Sequence, residues 1–394
     1  MIERQLAVIH YKNHLLSAAF QGNELSDILV EPVETEQTIA IGDIYLAKVK
    51  NVVPNIQAAF LEVTKNNMCY LPLKKHEFSE VMQGMEIPVQ IIKPAVKSKQ
   101  AVCSRKLELV GMYAVVTTDI TTKNISKKIT DQTQRERLKK LLEEFGNEEF
   151  GLIVRTTAQN VEDDVIRKEC RHLLEKMRTL LDKAKHRVCF SKVYGAEREL
   201  IRYIKANGNH FFDRIITDQK EIFDELQNDL QLREENICFY EDSYPLDKLL
   251  GISSQIEKCQ RKHVWLKSGG SLVIEPTEAL TVIDVNTQKA IQGKRNKEHT
   301  FFKLNREAAA EAVRQIRLRN LSGIILIDFI DMEEKEHIEE LMSILEQETK
   351  KDHIPTKVID MTPLGLVEIT RKKARKPLYE FFGREKEEKY EAKN

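Results

Sequence analysis

The sequence predicts an α/β protein of several domains, on three observations. Two short apolar runs, Ala279–Asp284 and Gly323–Asp328, each end on an aspartate, and Asn305–Asn320 between them carries Ala309, Ala312, Val313 and Ile316 at helical spacing. Strand, helix, strand is the unit that lays two neighbouring strands in one sheet. Residues 37–112 hold short strands set close together, as in a small β-barrel, and residues 196–260 alternate helical and strand-like text. A chain of 394 residues divides into about two to four such domains.

In order, residues 1–36 alternate apolar and polar positions (Leu6, Val8, Leu15, Ile28, Val30), as strands covered on one face do. Residues 37–112 supply the barrel strands Gly42–Val49, Ala58–Val63, Met68–Leu73 and Ile87–Ile92. Phe60 and Tyr70 are of interest there. Outward rings on such a barrel stack unpaired bases at roughly 1 to 3 kcal/mol each, whereas inward rings are core, the commoner fate of an aromatic.

Residues 113–195 mix lysines (Lys123, Lys127, Lys128) with a helix over 132–145, a strand over 151–156 and a second helix over 161–184. The apolar positions of that second helix include Val165, Ile166, Leu173, Leu174, Met177 and Leu180. Arg155 and Thr156 set a planar guanidinium beside a hydroxyl, which suits a terminal phosphate; most such pairs are surface decoration. Residues 196–260 read as helix, strand (212–217), helix and strand (237–240). Residues 261–383 contain the two aspartate-ended strands, and 384–394 form a charged tail.

Adjacent strands would bring Asp284 and Asp328 together, where open sheets carry their chemistry. Two carboxylates repel unless a cation or a shared proton offsets them. With no His or Cys close by in sequence, hard oxygen donors point to Mg²⁺ or Mn²⁺ rather than zinc. The plainer alternative for any one of them is a turn former or helix cap. Polar groups continue on both segments, with Asn286 after Asp284 and Asp331 after Asp328, the latter equally readable as a solvated turn residue. The arginines of the intervening helix (Arg306, Arg314, Arg317, Arg319) and the run Arg371–Lys376, with Arg371 and Lys372 at its head, are candidates to contact a phosphate backbone. A charge run is more often a solvated face.

Charged residues make up 31% and the formal net charge is zero, which excludes a uniformly basic nucleic-acid binder and makes any phosphate-binding surface local. No apolar run approaches the ~20 residues that span a bilayer, and the N-terminus lacks a signal core. No membrane span and a cytoplasmic location are expected. The six cysteines are scattered without a Cys-x-x-Cys pair, which argues for reduced thiols and against a zinc knuckle.

Several ordered motifs then carry a resemblance: Ser268-Gly-Gly, Glu278–Thr287, Glu307-Ala-Ala, Arg314–Arg319, Ile327–Met332 and Gly365–Arg371. Together they resemble the catalytic region of the ribonuclease E/G family of bacterial endoribonucleases, and the likeness extends over nearly the whole chain. It implies a ribonuclease-H-like subdomain in two parts (1–36 and 196–260), an inserted S1-type OB-fold (37–112), a 5′-sensor subdomain (113–195) and a deoxyribonuclease-I-like catalytic subdomain (261–383). It implies that Asp284 and Asp328 hold Mg²⁺, with Mn²⁺ as a substitute, and that Asn286 orients an aspartate or the scissile phosphate. Phe60 and Tyr70 would hold single-stranded RNA, with Tyr70 standing where the family usually has Phe. Arg155 and Thr156, supported by Lys128, would sense a 5′-monophosphate.

Metal-assisted hydrolysis would leave 5′-phosphate and 3′-hydroxyl ends, since no His pair stands near the carboxylates for attack by the RNA's own 2′-hydroxyl. The family's roles in ribosomal RNA maturation and messenger decay are implied likewise. No cysteine follows Cys259, so neither structural zinc nor oligomerisation through the zinc link of larger members is expected. The rivals are a catalytically inactive RNA-binding protein of the same fold and a different phosphodiesterase.

Overall fold

The computed structural model of the chain describes residues 3–32, 39–65, 67–93, 95, 100–208, 211–229, 236–287 and 297–383. The chain forms two compact units, residues 1–33 with 210–394, and residues 34–209. The first unit opens with an antiparallel meander of β1 (Arg4–Tyr11), β2 (His14–Gln21) and β3 (Glu24–Pro32). Lys12 and Asn13 join β1 to β2 with φ of 45° and 61°, the twist that a two-residue hairpin requires.

In the second unit β4 (Ile44–Val53), β5 (Ala58–Thr64), β6 (Asn67–Pro72), β7 (Glu86–Lys93) and β8 (Ala101–Ser104) close into a barrel in the order β4-β5-β6-β8-β7, with β7 returning to β4. Only β6 and β8 run parallel, an arrangement consistent with an OB-like domain. Alternation sends Ala59, Leu61, Val63, Cys69 and Leu71 inward and the residues between them outward.

A second sheet follows, of β9 (Glu108–Val110), β10 (Ala114–Thr117), β11 (Lys123–Ile125) and β12 (Gly151–Val154), ordered β11-β12-β10-β9. Helix α1 (Gln132–Glu143) starts at Asp131, whose carboxylate accepts from the Gln134 N–H (3.1 Å), as an N-cap does. Helix α2 (Asp163–Lys185) buries Ile166, Cys170, Leu173, Leu174, Met177 and Leu180. Val165, expected on that stripe, is exposed.

Strand β13 (Lys192–Tyr194) pairs with β4, and α3 (Glu199–Asn207) ends this unit. The expected boundary at 196 therefore falls inside it. The Ala196 N–H donates to the Asp43 carboxylate (2.8 Å) and Arg202 to the Ile41 carbonyl (3.2 Å), which ties the segment to the start of the barrel.

Back in the first unit, β14 (Arg214–Thr217), α4 (Lys220–Asp229) and β15 (Ile237–Phe239) extend the meander to the order β15-β14-β1-β2-β3, with β1, β14 and β15 parallel. Helices α5 (Leu246–Leu250) and α6 (Ile252–Gln260) lead to a third sheet. Its elements are β16 (His263–Trp265), β17 (Ser271–Pro276), β18 (Leu280–Asn286), α7 (Lys297–Leu318), β19 (Gly323–Asp328), α8 (Lys335–Thr349), β20 (Thr356–Met361) and β21 (Leu366–Arg371), before α9 (Leu378–Phe382). The strand order is β16-β17-β18-β19-β21-β20.

Only β18 and β19 are parallel there, and a parallel pair needs a long crossover, which α7 supplies. One face of this sheet is core: Leu272, Ile274, Ile283, Val285, Ile325, Ile327, Val367 and Ile369 pack with Ala308, Ala312, Val313, Leu341 and Leu345 of α7 and α8. The alternate residues, among them Val273, Asp284, Asn286 and Asp328, occupy the other face. No helix among the described residues is long and apolar enough to cross a membrane.

Candidate functional site

Asp284 and Asp328 stand directly opposite one another on β18 and β19. Their apolar neighbours Ile283 and Ile327 are fully buried on the core face, so alternation fixes both carboxylates on the other face. Asn286, two residues on, donates from Nδ2 to Asp284 Oδ2 (2.6 Å). The Asp328 carboxyl is held above its ordinary range, first by partial burial and then by the charges of Asp284 and Asp331. Among the described residues no lysine or arginine pairs with Asp284, Asp328 or Asp331. Uncompensated oxygen donors in register are what a small hard dication fits, and that donor set holds no thiolate or imidazole to favour zinc.

Several groups that sequence reasoning left without a role hold this site. Asn305, fully buried within α7, donates to the Ile330 carbonyl (2.8 Å) and accepts from its N–H (3.2 Å). It thereby fixes the loop between Asp328 and Asp331. Glu298 accepts from the N–H groups of Glu333 and Glu334 (3.4 and 3.3 Å) and shares a hydrogen bond with His337 (3.1 Å), whose ring stacks on Phe302. On the other side, Glu307 accepts from the N–H groups of Lys267 and Ser268 (2.6 and 3.0 Å). A Cβ at Gly270 would meet Leu304 at 2.6 Å and the Asn286 carbonyl at 2.8 Å, so only glycine passes there. A polar residue at a buried helical position, such as Asn305, was the available signal.

Of the residues expected to touch RNA, Phe60 and Tyr70 are opposite one another on β5 and β6, facing away from the barrel core, with ring centroids 5.9 Å apart. Both are half-buried. Arg371 is a correction. It is 2% exposed and donates to Asp352 (2.6 Å), Asn320 (2.6 Å) and the Leu321 carbonyl (3.0 Å). A guanidinium so enclosed braces β21 against its surroundings and offers nothing to a phosphate. Lys372 is exposed.

The arginines in and just after α7 are likewise engaged inside their unit. Arg314 holds the Leu25 carbonyl and Glu311, Arg317 the Glu348 carbonyl, and Arg319, 7% exposed, Gln315. Arg306 is exposed, with Glu340 3.6 Å away.

Arg155 and Thr156 follow β12, and the loop with Lys127 and Lys128 follows β11. The two strands are parallel, with Ile125 opposite Val154, so both segments leave the same end of the sheet. Arg155 Nη1 donates to the carbonyls of Gly111 (2.6 Å), Met112 (3.2 Å) and Lys205 (3.1 Å). One nitrogen thus fixes the fork, and no hydrogen bond to a described residue uses Nε or Nη2. The turn that supplies those carbonyls is held by Glu169, which accepts from the N–H groups of Met112, Tyr113 and Ala114 (2.6, 2.7 and 2.9 Å). Its oxygens lie 2.8 Å from where a Cβ of Gly111 would stand. Lys128 is exposed, whereas Lys123 is spent on three carbonyls, of Thr121, Glu148 and Phe150.

The sequence model of the ribonuclease E/G family matches residues 108–374. Ribonuclease G of Salmonella typhimurium (strain SL1344) is 32% identical over 384 residues, covering 91% of this chain and 77% of that protein. Ribonuclease G of Escherichia coli (strain K12) is 32% identical over 387 residues, 92% of this chain and 78% of that protein. Ribonuclease E of Synechocystis sp. (strain ATCC 27184 / PCC 6803 / Kazusa) is 29% identical over 395 residues, 95% of this chain and 58% of that protein.

Proposed function

The chain belongs to the ribonuclease E/G family and is an endoribonuclease, and on that premise we propose that it hydrolyses single-stranded RNA with Mg²⁺ at Asp284, Asn286 and Asp328. The observation that carries this reading is the register of the two aspartates on parallel neighbours, with Asn286 bonded to one of them and, among the described residues, no lysine or arginine paired with either. Asp284 and Asp328 would hold the dication, which when bound polarises the scissile phosphate and lowers the pKa of a water. Asn286 keeps the Asp284 carboxylate in one orientation. Asp328 serves as a ligand in its ionised form, and the charge of Asp331 raises the attraction of the site for a cation.

In this reading Phe60 and Tyr70 of an S1-type barrel stack unpaired bases. The free edge of the Arg155 guanidinium, with Thr156 and Lys128, receives a 5′-monophosphate and stimulates cutting. The products carry 5′-phosphate and 3′-hydroxyl ends, and the setting is maturation of ribosomal RNA and messenger decay in the cytoplasm. The test is to map the ends made from an internally labelled, 5′-monophosphorylated single-stranded RNA. Internal cuts with 3′-hydroxyl ends are expected; 2′,3′-cyclic phosphates, or no internal cuts, would count against the proposal.

A further inference from the structure

Trp265, the chain's only tryptophan, lies on the edge strand β16 and is 67% exposed. Its neighbours Val264 and Leu266 turn into the core, so its ring belongs to the other face, the one that carries the aspartates. The register makes this specific. Trp265 and Asn286 are both directly opposite Ser271, on either side of β17, while His263, Val273, Asp284 and Asp328 form the next row. Two strand spacings put the Cα atoms of Trp265 and Asn286 about 10 Å apart. Residues 258–267 hold Lys258, Arg261, Lys262, His263 and Lys267 and no acidic residue. Lys258, Arg261 and His263 line the same edge cleft as Trp265, together with Glu311 and Arg314 of α7, while Lys262 is paired with Glu275 and Lys267 has Glu24 3.8 Å away. A large exposed ring on the face of the proposed metal site, with cations at the sheet edge beside it, is the composition of a single-strand stacking platform.

We propose that Trp265 stacks an unpaired base of the RNA beside the scissile phosphate, with Lys258, Arg261 and His263 holding the adjoining backbone. This rests on the nuclease reading for its location, but its test does not need cleavage. The full-length Asp328→Asn chain is titrated with a 3′-fluorescein-labelled oligouridylate, followed by anisotropy, and with the unlabelled oligonucleotide, followed by tryptophan emission, which comes from Trp265 alone. Emission that changes along the anisotropy curve is expected. Trp265→Ala should weaken binding about 5- to 150-fold and Trp265→Phe should restore most of it. In the cleaving chain, Trp265→Ala should raise KM more than it lowers kcat.

Unchanged emission at saturating RNA would overturn the proposal and leave the nuclease reading standing. Emission that shifts with protein concentration but not with RNA would assign the ring to a protein contact and overturn it too. No binding of RNA at all would overturn both. Quenching without cleavage by the parent chain would support the stacking site and count against the nuclease reading alone.

Discussion

Replacing Arg371 with alanine separates a brace from an RNA contact. The guanidinium is 2% exposed, and the side chain of its partner Asp352 has no exposure at all. Burial alone would raise the Asp352 carboxyl, but the hydrogen bond and charge of Arg371, with the Ile354 N–H and Thr356, bring it below the ordinary value. Removing Arg371 leaves that carboxylate buried and unpaired and strips Asn320 and the Leu321 carbonyl of their donor. Breaking such a pair costs about 3 to 5 kcal/mol, which for a unit of this size lowers Tm by about 6 to 20 °C. The loss should be full near neutral pH. Because the folded pKa is depressed, the stabilisation is present above the unfolded value of about 3.9 and disappears in more acidic solution.

The assay is thermal unfolding followed by circular dichroism, paired with RNA binding at two salt concentrations well below the transition. A backbone contact would instead leave Tm in place and reduce the salt slope by about one unit. That second pattern for Arg371→Ala would refute the assignment. Lys372→Ala, at an exposed position, serves as the control that should leave Tm unchanged.

Arg155→Ala should bring the rate ratio of 5′-monophosphorylated to 5′-hydroxyl RNA toward one, a loss of about 10- to 150-fold at most for a charged hydrogen-bonded contact; an unchanged ratio in a folded variant would remove Arg155 as the sensor. Phe60→Ala should weaken single-stranded RNA binding about 5- to 150-fold across sequences, read by anisotropy, and an unaltered Kd would return that ring to the barrel's own packing. The raised Asp328 carboxyl keeps its proton to higher pH than an ordinary aspartate, so the acid limb of the pH–rate profile should move to lower pH as Mg²⁺ is increased and competes with that proton. The same sign makes the Asp328 charge destabilising above its raised pKa. In EDTA, Asp328→Asn should therefore melt above the parent, by a margin that vanishes on acidification.

The carboxylate pair was legible because its geometry is local: strand, helix and strand lie in one continuous stretch, and the period-2 pattern fixes which side chains share a face. The barrel was legible for a similar reason, since its strands are short, close-set and mostly paired with sequence neighbours. What depended on distant partners was not. Arg371 heads a run of cations that reads as a solvated face, and only folding brings Asp352 and Asn320, 19 and 51 residues away, around it.

Helix α3 reads like the start of the following alternating segment. Yet the Asp43 and Ile41 bonds that assign it to the barrel's unit span 153 and 161 residues. The clamps made by Asn305 and Glu307 needed the pairing of α7 with two loops at the same end of the sheet, one before β17 and one after β19. Trp265 was invisible as a site because its meaning lies in register, opposite Ser271 and through it Asn286, not in its own sequence context.

The measurement that tests the central claim most directly is cleavage of a short, AU-rich, 5′-monophosphorylated RNA with Mg²⁺ and with EDTA, comparing the parent chain with Asp328→Asn at equal RNA occupancy. The account predicts internal cuts by the parent that need Mg²⁺, and a rate for the variant at least 100-fold lower, the scale of losing a charge-stabilising group at a reacting phosphate. A variant that cuts as fast as the parent, or a parent that cuts equally well in EDTA, would contradict it.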